Sequence, residues 1–238
     1  MFTLLHVDDD FVIIDKHPNV SVHKDDGETM LVGEVAKAVG DEHLYLVHRL
    51  DKMTSGLLML ARHGEAAASL SKLFADRLVQ KYYLAIGEKK PTKKQGLISG
   101  DMERSRRSSW KLLPTKKNPA ITQFFSVAGD AGQRIFICKP HTGKTHQIRV
   151  ALKSVGAAIL GDPIYGQQSI NRECDRGYLH AYGLQFEYQG RQLAFVAPPS
   201  IGNEWQSASV QAAVAAWQYP ENLPWPVIKP TRPSKGTR

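Results

Sequence analysis

The sequence has few of the features that bind metals or span membranes. Among its 238 residues there are two cysteines, and Cys138 and Cys174 form neither a CxxC pair nor part of a metal-ligand cluster. This predicts free thiols in a reducing compartment rather than a disulfide or a zinc site. The longest apolar runs, such as residues 57–61, fall far short of the roughly 20 residues that a membrane helix needs. We therefore expect no metal, no membrane span and a cytoplasmic protein.

Motifs for nucleotide cofactors are also missing. The dinucleotide-binding pattern GxGxxG does not occur, and the phosphate-binding loop pattern is incomplete. Gly143, Lys144 and Thr145 match the end of that loop, but Cys138 replaces the glycine required five residues before Gly143. The sequence therefore predicts a protein that works without a cofactor.

No secretion signal is expected, because residues 8–10 are all aspartate and a basic start and a small-residue cleavage pattern are lacking.

Positive charge is concentrated in one stretch of the chain. The formal net charge is +8, and residues 81–120 alone hold eleven Lys or Arg against three acidic residues. Residues 229–238 add four more positive charges, so the remainder of the chain is mildly acidic. A solvated surface usually mixes charges of both signs, and this segregation favours a polyanionic partner. The alternative is a basic loop that serves only solubility.

The pattern of apolar residues predicts an irregular alternation of strands and helices. Strands are expected at residues 3–6, 11–15, 57–61, 82–86, 121–127, 134–138, 183–188 and 192–196, and helices at residues 30–39, 64–77, 145–155 and 203–218. The run at 57–61 is continuous rather than alternating, which is typical of a strand buried on both faces. Residues 88–118 show little periodicity and predict a long basic loop with room for a short hairpin. Together these signals indicate an α+β domain with a large mixed sheet.

The segment HRLDKMTSGLLMLA at residues 48–61 places an acidic side chain in a turn just before the buried strand. A carboxylate of Asp51 at the rim of the core, partly shielded from water and with cations on both sides in sequence, suits a nucleophile. The alternative is structural: Asp51 caps the turn and pairs with Arg49 or Lys52. The residue types alone favour the structural alternative.

The segment KPHTGKTHQIRV at residues 139–150 brings two histidines, two lysines and an arginine to the start of a predicted helix. Something anionic is therefore expected nearby. If Ile148, Leu152 and Val155 face the core, Arg149 lies beside that stripe and can reach inward. Asp51 is its natural partner. The alternative is that Arg149 is an ordinary exposed helix residue.

These segments resemble the signature motifs of the RluA-type RNA pseudouridine synthases. HRLDKMTSGLLMLA is similar to that family's HRLD-x-x-TSGL-type motif, and HTGKTHQIRV to its TGRTHQIRVH-type motif, in the expected order. DDFVIIDKHP at 9–18, KYYLA at 81–85, GDPIYG at 161–166 and LHA at 179–181 resemble further elements, so the likeness covers about residues 3–200. The resemblance implies a pseudouridine synthase-like α+β domain whose large sheet is mainly antiparallel and flanked by helices and loops.

The resemblance also implies a reaction and the residues that perform it. The expected activity is isomerisation of a uridine in structured RNA, ribosomal RNA or tRNA, with Asp51 as nucleophile. Tyr83 would pack against the target base and Arg149 would pair with Asp51. Arg49 corresponds to the residue that holds the RNA once the uridine has been flipped out of its stack. The K-x-Y-x-A spacing selects Tyr83 rather than Tyr82.

Three positions depart from the family's pattern. Ala151 stands where His is usual, Lys144 replaces the usual Arg, and His17 is an extra residue within a usual Lys-Pro. These changes concern RNA contacts rather than the reaction. Lys144 remains a predicted RNA-binding residue. The charge map adds a second group of predicted RNA-binding residues, Arg104, Arg106 and Arg107, and the basic tail at 229–238.

Several alternatives stay open at the level of sequence. Asp51 could attack the sugar or promote a glycal-type elimination. The contrasting function is an RNA-binding protein without catalysis, in which the Asp51 turn is structural. We expect a monomer with a catalytic domain at residues 1–202, no N-terminal S4-like module, and a C-terminal helix with a Pro-rich basic tail at 203–238.

Overall fold

A computed structural model describes residues 1–22, 28–106, 108–171 and 173–228. The predicted RNA-binding residue Arg107 and the tail at 229–238 lie outside the described residues. The strands are β1 (Phe2–Val7), β2 (Phe11–Lys16), β3 (Tyr45–Leu46), β4 (Ser55–Ala61), β5 (Gln80–Gly87), β6 (Gln95–Gly100), β7 (Met102–Arg104), β8 (Trp110–Leu112), β9 (Ala120–Ala128), β10 (Arg134–Pro140), β11 (Leu179–Tyr188) and β12 (Arg191–Val196). The α-helices are α1 (Glu28–Val39), α2 (Gly64–Ala75), α3 (Gln147–Ser154), α4 (Gln168–Asn171) and α5 (Ala208–Ala216). None of the described helices is long and apolar enough to cross a membrane.

One large sheet organises the described part of the chain. Its ten strands run in the order β1-β2-β4-β11-β5-β10-β9-β6, with β3 paired to β4 and β12 paired to β11. The pairing of β4 with β11 is parallel, and the other pairings in this sheet are antiparallel. The expected α+β fold with a mixed, mainly antiparallel sheet is confirmed.

Strand β4 is buried on both faces, as its continuous apolar run predicts. All seven of its residues are buried. Leu58 and Leu60 belong to the apolar cluster that includes α1, whereas Leu57 and Met59 belong to the cluster that includes α2. Because helices cover both faces, the strand has a fixed position in the core. The turn that leads into it, residues 51–54, is therefore attached to a rigid element.

Gly56 allows β4 and β11 to approach closely at the start of their parallel pairing. Its φ of 108° lies in a region that L side chains rarely adopt, and a Cβ there would lie 2.2 Å from the carbonyl oxygen of Ala181. Ala181 is opposite Gly56 on one side and opposite Tyr83 on the other. Since neighbouring strands are about 4.8 Å apart, Tyr83 lies about 10 Å across the sheet from the strand that Asp51 precedes.

The prediction of a long basic loop at 88–118 was wrong for part of its length. Residues 95–100 form β6, which pairs with β9 at the edge of the sheet. The segment QGLISG has two glycines and little apolar periodicity, so its strand is stabilised by the pairing with β9 rather than by local propensity. The short hairpin expected within the loop is confirmed, since β7 pairs with β8.

The C-terminal helix expected at 203–218 is divided in two. A 3-10 turn spans Asn203–Gln206, and α5 begins after Ser207, whose side-chain oxygen accepts a hydrogen bond from the Val210 amide. Trp205 and Trp217 belong to the same apolar cluster as residues of β5 and β10. The C-terminal segment is thus part of the main core up to this point, and the domain boundary at residue 202 stays a prediction.

Gly56→Ala should lower the free energy of unfolding by about 2 to 4 kcal/mol, because the new methyl group meets backbone and the φ angle becomes strained. The measurement is a urea denaturation midpoint at constant slope. Gly33→Ala is the matched control. Gly33 lies inside α1 with no atom within 4 Å of the added methyl position, so this change should stabilise by about 0.5 to 1 kcal/mol. Equal midpoints for the two variants would contradict the close approach of β4 and β11.

Candidate active site

The turn before β4 opens onto a cleft of about 500 Å³. The three predicted catalytic residues Asp51, Tyr83 and Arg149 all line this cleft, and so do the predicted RNA-binding residues Arg49 and Lys144. Residues from three distant parts of the sequence therefore meet at one place. The other predicted RNA-binding positions that the structure describes do not line the cleft. Arg104 is the last residue of β7, which pairs with β8, and Arg106 follows β7 two residues later.

Asp51 and Arg149 form the ion pair expected between them. Nη1 of Arg149 donates a hydrogen bond to Oδ2 of Asp51 at 3.0 Å. The Asp51 side chain is 23% exposed and that of Arg149 is 4% exposed, so the pair sits at the floor of the cleft. Within the described residues, Oδ1 of Asp51 accepts no hydrogen bond. One carboxylate oxygen is thus held in place, and the other is available to a ligand.

Asp162, which was not among the residues predicted from the sequence, binds Arg149 on the side opposite to Asp51. Nε of Arg149 donates to Oδ2 of Asp162 at 2.7 Å, and Nη2 donates to Oδ1 at 2.9 Å. This is the two-pronged geometry in which arginine binds carboxylates most strongly. Asp162 is fully buried, and its Oδ1 also accepts the amides of Ile164 and Tyr165. The GDPIYG motif was the available signal, because a buried arginine needs partners for its remaining donors.

The environment of Arg149 favours its charged form. Burial opposes the charge, but the hydrogen bonds and negative charge of Asp162, followed by those of Asp51, hold the pKa of Arg149 above its ordinary value. The guanidinium carbon also lies 5.1 Å from the centre of the Tyr165 ring, within the range of a cation–π contact. Arg149 is therefore a charged side chain, held by partners on several sides, at the floor of the cleft.

The side chain of Lys16 binds the backbone of the Asp51 turn. Its side chain is fully buried, and Nζ donates to the carbonyl oxygens of His17, Val20 and Lys52 at 3.0, 2.8 and 3.2 Å. Burial lowers the pKa of Lys16 to about 7. Because Lys52 directly follows Asp51, the contact fixes the backbone next to the nucleophile candidate.

Arg176 is a second buried cation under the same turn. Its Nη2 donates to Oγ of Ser55 at 2.8 Å and lies 3.5 Å from the carbonyl oxygen of Met53. Oγ of Ser55 also lies 2.7 Å from Nδ1 of His180. Burial lowers the pKa of His180 to about 3, so this histidine is neutral. The end of the turn is thus anchored to β11.

His48, the first residue of the HRLD motif, connects the motif to other parts of the fold. Its Nε2 accepts the amide of Met59 at 2.9 Å, and its ring stacks on Phe74 with 4.3 Å between centroids. Burial, followed by the charge of Lys81, lowers the pKa of His48 to about 3. A neutral His48 therefore ties the residues before Asp51 to the middle of β4.

The two adjacent tyrosines of β5 have different surroundings. Tyr83 lines the cleft beside Asp51, and burial together with the charge of Asp51 raises the pKa of Tyr83. Tyr82 is fully buried, and its hydroxyl donates to Oε1 of Gln80 at 2.8 Å. Alternation along the strand explains the difference. The spacing rule selected the tyrosine that lies in the cleft.

Four cations line the cleft without acidic partners. They are Arg49, Arg77, Lys81 and Lys144. None of them forms a salt bridge with another residue that the structure describes. Unpaired cations along an open cleft are suited to phosphate groups. In the described ranges no group of three or more His, Cys, Asp or Glu is placed to hold a metal ion.

The comparisons with known proteins agree with one another. Residues 10–154 match the family described as RNA pseudouridylate synthase. A protein of Haemophilus influenzae named "Uncharacterized RNA pseudouridine synthase" is 50% identical over 201 residues, which cover 84% of this chain and 89% of that protein. Ribosomal large subunit pseudouridine synthase C of Rickettsia bellii is 31% identical over 188 residues, 76% of this chain and 62% of that protein.

Solved structures show the same fold. Human RNA Pseudouridylate Synthase Domain Containing 1 aligns with a TM-score of 0.73 and 22% identity, over 92% of this chain and 95% of that one. Human RNA Pseudouridylate Synthase Domain Containing 4 aligns with a TM-score of 0.70 and 24% identity, over 90% of this chain and 92% of that one. At these identities the likeness establishes the fold alone.

Asp162→Asn should lower the free energy of unfolding by about 3 to 5 kcal/mol, because it leaves the buried Arg149 without its two-pronged partner. Arg149→Ala should lower the free energy of unfolding by a similar amount, because it leaves the buried carboxylate of Asp162 without this cation. Chemical denaturation measures both. Arg191→Ala, which breaks an exposed pair with Asp8, is the control and should leave the midpoint unchanged. An unchanged midpoint for Asp162→Asn would contradict the buried pair.

Proposed function

Because the chain belongs to the RNA pseudouridylate synthase family, whose members are isomerases, we propose that it converts a uridine of structured RNA to pseudouridine through Asp51. One observation carries the assignment of the site: Arg149 holds one oxygen of Asp51 while the other accepts no hydrogen bond from a described residue, beside Tyr83 in a cleft of about 500 Å³. The reaction breaks the bond from ribose C1′ to N1 and forms a bond from C1′ to C5. All atoms come from the uridine, so the site must supply a nucleophile, a proton transfer and confinement of the detached base.

Asp51 starts the reaction at the ribose. Its Oδ1 either attacks C1′ or removes a proton from C2′ in a glycal-type elimination, and both routes require a carboxylate oxygen directed at the sugar. Arg149 supports either route, since it immobilises Oδ2 at 3.0 Å and spares Oδ1. Such fixed orientation of the reacting group is a major source of rate enhancement.

Tyr83 packs against the target base. Its raised pKa keeps the hydroxyl protonated at neutral pH, so it acts through ring contact and hydrogen-bond donation. Tyr83 and Asp51 both line the cleft of about 500 Å³, which has room for a planar base. The detached uracil can therefore turn and present C5 to C1′ without leaving the cleft.

The cations of the cleft bind the RNA backbone around the flipped uridine. Arg49 and Lys144 lie at the same cleft as Asp51. A second cavity of about 320 Å³ shares Arg49 and Asp51 and extends toward Asn19 and Ile164, which gives space for a neighbouring nucleotide. The β7–β8 hairpin supplies more distant phosphate contacts through Arg104 and Arg106.

The substrate is ribosomal RNA or tRNA. Sequence-specific RNA recognition usually targets loops and unpaired bases, and a flipped uridine is most accessible there. The relative from Rickettsia bellii is named for the large ribosomal subunit. Large-subunit ribosomal RNA is therefore the first RNA to test, and tRNA the second.

Asp51→Asn should abolish turnover while leaving fold and RNA affinity nearly intact, because Asn keeps the shape of the side chain but is not a nucleophile. The assay is tritium release from transcripts of large-subunit ribosomal RNA and of tRNAs labelled at uridine C5. Asp9→Asn, an exposed change of the same type, is the control and should retain full activity. Turnover by Asp51→Asn near the wild-type rate would overturn the assignment of the nucleophile.

Replacing Arg104, Arg106 and Arg107 by Gln should weaken binding to many RNA sequences alike. Loss of each phosphate contact should reduce the slope of log affinity against log salt by about 0.7 to 0.9, while the turnover of bound RNA changes little. Filter binding at several salt concentrations measures the slope. The control replaces Lys37, Lys72 and Arg191 by Gln, which removes the same charge outside the cleft and the hairpin. If both triple variants keep the wild-type slope, the hairpin does not contact RNA.

A further inference from the structure

His146 has a strained backbone conformation beside Asp51. It precedes α3 with φ 56° and ψ 20°, in the left-handed region, and its side chain caps no amide of the helix. A glycine would adopt these angles without strain. Strained residues that persist near a functional site point to a role for the side chain. The contacts of the imidazole ring therefore need an explanation that helix capping does not provide.

The ring lies between Tyr165 and Asp51. Nδ1 of His146 is 2.9 Å from the Tyr165 hydroxyl, and Nε2 is 4.0 Å from Oδ2 of Asp51, the oxygen that Arg149 also holds. The Tyr165 oxygen accepts the amide of Trp110 at 2.8 Å, which leaves its own proton for Nδ1. The opposite tautomer would place the lone pair of Nε2 against a carboxylate. These contacts favour the tautomer with the ring proton on Nε2, the nitrogen that lies 4.0 Å from Oδ2 of Asp51.

Tyr165 is itself held in place. Its amide donates to Oδ1 of Asp162, and its ring lies against the Arg149 guanidinium. Burial, followed by the charge of Arg149, lowers the pKa of His146, so the imidazole is neutral at neutral pH. The groups around Asp51 thus form one connected unit, in which His146 contributes an oriented N–H rather than a charge.

We propose that His146 is a positioning residue for Asp51, whose Nε2–H, oriented by Tyr165, keeps Oδ2 next to Arg149 so that Oδ1 remains directed at the ribose. The proposal rests on the proposed function, with Asp51 as the reacting group. The distance of 4.0 Å is longer than a hydrogen bond, and such contacts often tighten when the substrate binds.

The test compares three variants with the wild-type enzyme on the tritium-labelled RNA that the wild type turns over. His146→Gly removes the ring and relieves the φ angle. We expect an unchanged or higher denaturation midpoint, unchanged RNA affinity, and a single-turnover rate about 10- to 100-fold lower, because a misplaced reacting group loses that much. His146→Gln places its side-chain amide nitrogen near the position of Nε2 and so restores an N–H donor toward Asp51, so part of the rate should return. His146→Ala separates strain from function, since it should be slow and also less stable than His146→Gly.

Tyr165→Phe tests whether the Tyr165 hydroxyl orients His146. It keeps the ring against Arg149 and removes the group that orients His146. We expect it to slow the wild-type enzyme but to add no further loss to His146→Gly, which a double-mutant cycle measures. Fully additive losses would overturn the orientation of His146 by Tyr165.

The outcomes for the inference and for the proposed function are distinct. If the wild-type enzyme releases no tritium, the proposed function fails, and if Asp51→Asn stays active, the assignment of Asp51 fails; in either case the inference fails with it. If Asp51→Asn is inactive but His146→Gly reacts at the wild-type rate, only the inference is overturned. A His146→Gly enzyme that loses stability but not rate would show that His146 has a structural role alone.

Discussion

The arrangement of the site depends on one guanidinium held between two carboxylates. Nε and Nη2 of Arg149 bind Asp162, and Nη1 binds Asp51. Because the guanidinium is planar and rigid, the two bonds to Asp162 fix the direction of the third, and Asp51 is oriented by it. A lysine carries the same charge at a single point and could not transmit orientation in this way. Asp162 thus acts on Asp51 without touching it.

The buried basic side chains around the Asp51 turn fix the position of the turn rather than stabilise the fold. Lys16 and Arg176 are buried beneath the turn and bind mainly backbone carbonyl groups, among them those of Lys52 and Met53, which follow Asp51. Burying such cations has a large desolvation cost, and apolar residues of similar size often stabilise a fold more. What the cations provide is a turn with one conformation, attached to a strand that is buried on both faces. Under the proposed function, Asp51 would therefore be oriented before the RNA binds, which lowers the entropy cost of the reaction.

Local patterns predicted the elements that depend on local properties. The apolar run of β4 and the β9–β10 hairpin follow from periodicity, and the structure has them where expected. The choice of Tyr83 over Tyr82 came from the resemblance to the family, and Tyr83 is the one of the two that lines the cleft. Strand β6 was missed because its stability comes from pairing with β9. Asp162 was missed because an aspartate in a turn has a local explanation, and its role appears only when the partner of Arg149 is known.

The sequence by itself determined the period of each element, the family that the motifs indicate, and the residue types that the chemistry needs. The resemblance implied that Asp51 pairs with Arg149, but only the tertiary structure decided how these residues are brought together. Asp51 and Arg149 are 98 positions apart, and their contact depends on β4 lying next to β11, on the register that aligns Gly56, Ala181 and Tyr83, and on the course of α3. Strand order and register are set by long-range pairing and core packing, and no local period in a chain encodes them.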